Sequence, residues 1–315
     1  MTKNNEYRKE TDSMGEFHVP INAYYGANTM RAVVNFPISD LRFSRAFIES
    51  IAHVKLAAAK TNMELGLLDK SIGNAIVKSA EEVAKGNLDD QFVVDIFQTG
   101  SGTSTNMNAN EVISNKAIEI LGGEIGSKIP VHPNDHVNLG QSSNDVIPTS
   151  IHVAAAKSIN DSLIPSLKTL KKSLMNKSSE FMPVVKTGRT HLQDATPVRL
   201  GQEFLGYAGQ IERSINRSKN ALAELSELAI GGTAVGTGVN THSKFADQIC
   251  QKLSESLGIK FFETNNHFQS QSTLDNIVSA SGNLKTIAIS LMKIANDIRW
   301  MGSGPRGGFG EIELP

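Results

Sequence analysis

The sequence predicts an all-α protein, and three observations carry that reading. Apolar residues recur at helical spacing over long stretches, most regularly in the later half of the 315-residue chain. Strand-like alternation of apolar and polar residues is scarce. Glycine punctuates the ends of periodic stretches, as at Gly66 and at Gly122-Gly123.

Taken in order, residues 1 to about 45 are mixed and turn-rich, with Pro20, Gly26 and Pro37 as punctuation. Residues 47–85 read as helical, with Ile48, Ile51, Leu56, Ala59, Met63 and Leu65 on an apolar face that breaks near Gly66. A second helix covers 71–85, and another runs over 106–121. Residues 151–177 form a long helical stretch with Leu163, Leu167, Leu170 and Leu174 on one face and a bend at Pro165. Spacing that alternates four and three then appears twice. It runs through Phe204, Ala208, Ile211, Ile215, Ser218, Leu222, Leu225 and Ala229, and again through Ile277, Ser281, Leu284, Ala288, Leu291, Ala295 and Ile298. Such seams belong to long helices packed nearly parallel or antiparallel in a bundle.

Composition narrows the class. Hydrophobic residues are 39% and charged residues 20%, as in a globular protein. A net charge of -1 gives no attraction to nucleic acid or to a membrane surface. No apolar run is long enough to span a bilayer. Residues 1–17 mix bases with Glu6, Glu10, Asp12 and Glu16, which fits neither a secretory signal nor a transit peptide, so a cytoplasmic location is expected. The single cysteine, Cys250, forms no intrachain disulfide and reads as a small core residue.

Three polar, hydroxyl- and glycine-rich stretches interrupt the helical pattern. They are residues 98–106 (Gln-Thr-Gly-Ser-Gly-Thr-Ser-Thr-Asn), 132–145, which opens His-Pro-Asn-Asp and closes Gln-Ser-Ser-Asn-Asp, and 188–197 (Gly-Arg-Thr-His-Leu-Gln-Asp-Ala-Thr-Pro). Neutral donors at a helix start suit a small, rigid anion such as a dicarboxylate, because the unpaired N–H groups and the helix dipole add to the hydroxyls. The same residues are ordinary helix caps, and both readings stand for each stretch alone. His191 is the one histidine of the third stretch, and an imidazole as a group can carry a proton either way near neutral pH. It fits equally a histidine satisfied by backbone at the mouth of a helix starting near Thr196-Pro197. His132 and Asp135, without a second histidine, do not make a metal site. The glycine-rich stretch 231–240 lacks the ending of a phosphate loop and reads as a tight reversal between helices that lines a pocket.

Together, residues 98–103, 132–135, 141–145, 188–197 and 231–238 resemble the class II fumarate hydratases, cofactor-free members of the fumarase/aspartase superfamily. The resemblance runs from residues 12–16 to 302–306. Aspartate ammonia-lyase, the closest rival, typically has Gln at the position of His191 and Thr at that of Ser143. Argininosuccinate and adenylosuccinate lyases resemble these segments far less. The resemblance implies an all-α fumarase/aspartase-like fold, with a small N-terminal domain over 1–138 and a long-helix bundle over 139–315. It implies reversible hydration of fumarate to malate, a tricarboxylic acid cycle step, by a homotetramer whose active sites draw on three subunits. No cofactor and no metal are implied. Ser101, Thr103, Ser142, Ser143 and Asn144 would bind the substrate, with Thr190 at the reacting end. His191 would be catalytic, handling water or its proton. His132, Asn134 and Asp135 match a secondary dicarboxylate site.

The pattern departs at the end. The sequence closes on residues 310–315, whereas the family continues into a loop of the form Gly-Ser-Ser-x-Met-Pro-x-Lys-x-Asn that carries the serine assigned as base. A chain truncated at the C-terminus, without the family's C-terminal domain, is therefore expected, and the 315 residues alone are expected to be inactive. A non-catalytic helical assembly fragment is the alternative reading, and aspartate ammonia-lyase a second.

Overall fold

The structure is a computed structural model that describes residues 7–315. The chain opens with an antiparallel hairpin of β1 (Tyr7–Asp12) and β2 (Gly15–Pro20), followed by helices α1 (Ala27–Asn35), α2 (Arg45–Glu64), α3 (Lys70–Ala84) and α4 (Thr103–Ile120). Helix α5 (Ser143–Ser158) passes through a π-turn at Ile159–Leu163 into α6 (Ile164–Phe181). A second antiparallel hairpin, β3 (Val185–Thr190) and β4 (Gln193–Arg199), leads into the long helix α7 (Leu200–Leu225). The short strand β5 (Glu227–Leu228), α8 (Phe245–Leu257), β6 (Phe262–Glu263) and α9 (His267–Ser272) precede α10 (Asp275–Met301). Strands β5 and β6 pair in parallel, so each sheet among the described residues is two-stranded and helices form the body of the fold.

Contacts group the chain into two compact units: residues up to Ala155 with Ser226–Leu274, and Ala156–Leu225 with Asp275–Pro315. The grouping is discontinuous, unlike a division at 138/139, because residues 226–274 pack with the N-terminal helices. In the first unit α2 packs on α3 and α8, and α3 on α4. Ile51, Ile76, Ile113, Phe245 and Ile249 are fully buried there. Helix α1 has no acidic residue in its first turn. Glu111 of α4 caps it from outside, accepting the N–H groups of Gly26 at 2.8 Å and of Asn28 and Thr29 at 3.0 Å. In the second unit Leu167, Leu174, Phe204, Ile211, Ile287 and Ile294 share one core between α6, α7 and α10.

The helix expected at 47–85 is α2 and α3, separated at Gly66, whose φ of +72° suits glycine. Helix α4 stops where the Gly122-Gly123 pair predicts. Gly122 lies at φ +76°, and Gly123 N–H donates back to the Ile118 carbonyl at 2.9 Å. The α7 seam holds as far as the helix runs: Phe204, Ala208, Ile211, Ile215, Ser218 and Leu225 are buried and Leu222 is half-buried, but the helix ends at Leu225, short of the expected Ala229.

Three expectations are corrected. The 1–45 region holds a hairpin and α1, not only turns. The stretch 188–197 is a β-hairpin, and its following helix starts at Leu200, not near Thr196-Pro197. On α10 the buried residues are Ala280, Ile287, Ile294 and Met301, a strict seven-residue repeat. Leu284, Ala288 and Ala295 of the expected seam are exposed. Val278 and Met292 are also apolar and are 69% and 60% exposed, so α10 is apolar on more than one face and periodicity could not choose between them.

Candidate active site

In the first unit the polar stretches build two adjoining helix N-termini. Gly102 precedes α4 in the left-handed region, at φ +70°, and has no side chain to cap with. A Cβ there would sit 3.0 Å from Ile147 Cγ1, so glycine is what lets the start of α4 approach α5. Capping falls to Gln98, whose Oε1 accepts the Thr105 N–H at 2.9 Å and whose Nε2 donates to the Thr105 hydroxyl. Ser101 and Thr103 hydroxyls stand 2.9 Å apart at this exposed end. Asn106 Nδ2 reaches across to Ser143 Oγ at 3.1 Å, which ties the first turn of α4 to the first residue of α5. Asn106 Oδ1, buried, has no hydrogen bond among the described residues.

The start of α5 is anchored from below. Asp145 is fully buried, and its carboxylate accepts the N–H groups of Ser142 at 2.9 Å, Gly231 at 3.1 Å and Thr233 at 2.9 Å. Burial pushes this carboxyl above its ordinary value, against the three N–H groups and the Lys55 charge that favour ionisation. Thr233 is held at φ +57°, a costly position for a β-branched residue, by this bond network. Asn144 donates from Nδ2 to the Ala234 carbonyl at 2.7 Å, a second tie to the glycine-rich loop. That loop lies in turns between α7 and α8 as expected, though β5 also intervenes.

Ser101, Asn144 and Ala234 border a pocket of about 580 Å³ whose other walls include Ile147, Pro148 and Phe268. The size suits a small-molecule cleft, and the wall is apolar with a few neutral donors. Ser142 and Ser143 are half-buried beside it, and Thr103 and Asn144 exposed.

Behind these loops lies Lys55, a residue the sequence reading passed over. It is wholly buried on α2 and donates from Nζ to Asn138 Oδ1 at 2.8 Å and Gln141 Oε1 at 3.0 Å. Burial outweighs the attraction of Asp145 and lowers its pKa to about 7. The signal was present: Lys55 falls four residues after Ile51 and four before Ala59, in the middle of the apolar face.

His132 precedes the π-turn Pro133–Val137, and its Nδ1 accepts the Asp135 N–H at 3.2 Å while lying 3.2 Å from the Asp135 carboxylate. Asn134 and Asp135 are exposed. His136, whose Nδ1 accepts the His132 N–H at 2.8 Å, has its pKa lowered by burial.

Thr190 and His191 belong to the second unit, on the β3–β4 hairpin. Thr190 pairs with Gln193, so His191 and Leu192 form a two-residue turn. Their φ values of +54° and +62° are those of a turn that normally takes Asn-Gly. Histidine tolerates that region better than most side chains, but Leu192 does not, and holding it there costs roughly 1–2 kcal/mol. Both are exposed at the hairpin tip. Gly188, at the bulge between Thr187 and Arg189, is required by close approach: a Cβ would lie 2.5 Å from the Thr196 carbonyl oxygen. Among the described residues no cluster of three His, Cys, Asp or Glu side chains suits a metal ion, and no helix is long and apolar enough to cross a membrane.

Comparison with known proteins bears on the family of the chain as a whole. A family model described as "Lyase" matches residues 15–315. The chain is 56% identical over 310 residues to the class II fumarate hydratase of Halobacterium salinarum, covering 98% of this chain and 66% of the relative. It is 51% identical over 317 residues to the mitochondrial fumarate hydratase of Homo sapiens, covering 100% and 62%. The crystal structure of a recombinant class II fumarase from Schistosoma mansoni matches with a TM-score of 0.94 at 39% identity, over 96% of this chain and 67% of that one. The chain thus spans about two thirds of the length of these relatives. With its polar helix starts, its glycine-rich loop and a family match over nearly its whole length, this chain belongs to the lyase family, among the class II fumarate hydratases.

Proposed function

We propose that this chain is the part of a fumarate hydratase that holds the substrate carboxylates and presents the proton-handling histidine. The observation that carries the reading is the meeting of two helix N-termini. The starts of α4 and α5 are joined by the Asn106–Ser143 bond and border a pocket at Ser101 and Asn144. Two helix dipoles and neutral hydroxyls bind an anion without neutralising it. Ser101, Thr103, Ser142, Ser143 and Asn144 hold the carboxylates. In dehydration of malate a base removes the proton from the carbon beside a carboxylate, giving a dianionic aci-carboxylate that then expels the hydroxyl group as water, and hydration of fumarate is the reverse. Preorganised donors stabilise that charge as it develops, and their rigid anchoring to Asp145 and Lys55 means little reorganisation is needed. Thr190 and His191 act at the reacting end, where His191 moves the proton of water. His132, Asn134 and Asp135 form a secondary dicarboxylate site.

Hydration needs no cofactor in this reading, and the base is supplied by the family's serine loop. The assembly is a homotetramer, which would cover the exposed apolar face of α10 at Val278, Ile289 and Met292. The domains of the lyase are 1–138 and 139–315. A cytoplasmic location accords with the single, buried Cys250.

The test uses the chain extended through the serine loop and following helices of the Halobacterium salinarum relative. It should convert fumarate to malate and release no ammonia from aspartate. Ser143→Ala should cost roughly 1.5–3 kcal/mol in kcat/KM, as for one hydrogen bond to a charged group. Ammonia release without hydration would support aspartate ammonia-lyase instead. Unchanged kinetics in Ser143→Ala would reduce Ser143 to a helix cap.

A further inference from the structure

We propose that Glu311 is a positioning residue that clamps the β3–β4 hairpin and so holds Thr190 and His191 in their forced turn. The inference rests on reading His191 as the proton-handling group. A two-stranded hairpin alone is marginal in water, and this one closes on His-Leu in left-handed geometry. Something outside the hairpin must hold it.

The segment after α10 supplies that hold. Ser303 accepts the Gly310 N–H through its carbonyl at 2.7 Å, and Met301 accepts that of Glu311 at 2.8 Å, so the segment folds back over the end of α10. Glu311 then faces β3. Its Oε1 accepts from Arg189 Nη2 at 2.6 Å, and its Oε2 from Lys186 Nζ. Lys186 also donates to Glu203 of α7 at 2.8 Å, which ties the cluster to the long helix. Arg189 lies over the Phe309 ring, 4.1 Å from its centroid, and Phe309 packs on Trp300. The Lys186–Glu311 pair at the centre of the cluster is shielded, with side chains 9% and 14% exposed, while Arg189 is partly exposed at its edge. That pair is therefore unlike a solvated surface pair, which contributes little. Burial pushes the Glu311 carboxyl up, but Arg189 and Lys186 outweigh it and hold it below the ordinary value.

Arg189 is separated from His191 by Thr190 alone, and Gly188 beside it is pinned by contact with β4. Movement of Arg189 is therefore passed along one strand to the turn. Glu311 touches neither substrate nor reacting atoms in this account. It fixes where the imidazole stands.

Hydrogen exchange read by mass spectrometry on the 315-residue chain tests the clamp without any activity. In Glu311→Gln, peptides spanning 187–193 should exchange about tenfold faster, while peptides of α7 and α10 around Ile211 and Ile287 keep their rates. Should Glu311→Gln fail to fold, Arg189→Lys loses the fork and the ring stack and should loosen the same peptides. In the extended protein, Glu311→Gln should lower kcat about tenfold with KM near its original value, and Glu311→Asp should recover part of it. Unchanged exchange at 187–193 overturns the clamp, whatever the kinetics. Faster exchange with unchanged kcat overturns the positioning role. An extended wild-type protein with no fumarate turnover removes the hydratase reading and leaves the exchange result to decide the clamp.

Discussion

Lys55 and His191 are the two residues whose chemistry departs furthest from what their neighbours in sequence suggest. Lys55 is buried with a pKa of about 7 against an ordinary 10.5, so between those values the unfolded chain binds a proton that the folded chain does not. Stability from this group therefore rises with pH from about 7 to 10.5 and is lowest below 7. A neutral amine still donates two hydrogens, enough for Asn138 and Gln141. Relative to Lys55→Met, the wild type should gain on the order of 2 kcal/mol between pH 7 and 9, read from denaturant midpoints. Equal pH slopes in the two proteins would mean that Lys55 is charged in the fold. For His191 the expectation is kinetic. His191→Asn in the extended protein should hydrate fumarate on the order of 100- to 10,000-fold more slowly, as for loss of a general acid–base group. A rate within a few-fold of wild type would remove His191 from the proton path.

At the scale of elements, the junction of α4 with α5 and the hairpin make separate claims. Gly102→Ala adds a methyl against Ile147 at a left-handed position, and should cost about 1–2 kcal/mol in thermal unfolding. A neutral result would show that the two helix starts can part. The Glu311 clamp adds a pH dependence of the same sign as that of Lys55, but in the acid range. Its folded pKa is depressed, so its stabilisation is present above the ordinary 4.5 and is lost as pH falls below it. Hairpin exchange, corrected for the intrinsic pH effect, should accelerate in that acid range and be insensitive in Glu311→Gln. How much could be read in advance divides along the same lines. Helices α2, α3 and α4 end at clear glycine stops that were legible, and α7 carries one dominant apolar face, though neither its start nor its end was marked in the sequence. The hairpin was not, because His191-Leu192 lacks the Asn-Gly signal, and tertiary contacts from Glu311 and Phe309 impose the turn. The packed face of α10 was illegible because Val278, Ile289 and Met292 make a second apolar stripe. Ser101 and Asn144, singled out by the polar stretches together with the family resemblance, border the pocket, whereas Asp145 and Lys55 act from behind and are revealed by burial.

For the whole molecule, the central claim is that these residues form the carboxylate-holding and histidine-bearing part of a fumarate hydratase, completed by a serine loop. The most direct test is the initial rate of malate formation from fumarate, measured side by side for the 315-residue chain and for the chain extended through the serine loop. The account predicts steady hydration by the extended protein and none above background by the chain alone. Hydration at comparable rates by both would contradict it, because the base would then have to lie among residues 1–315.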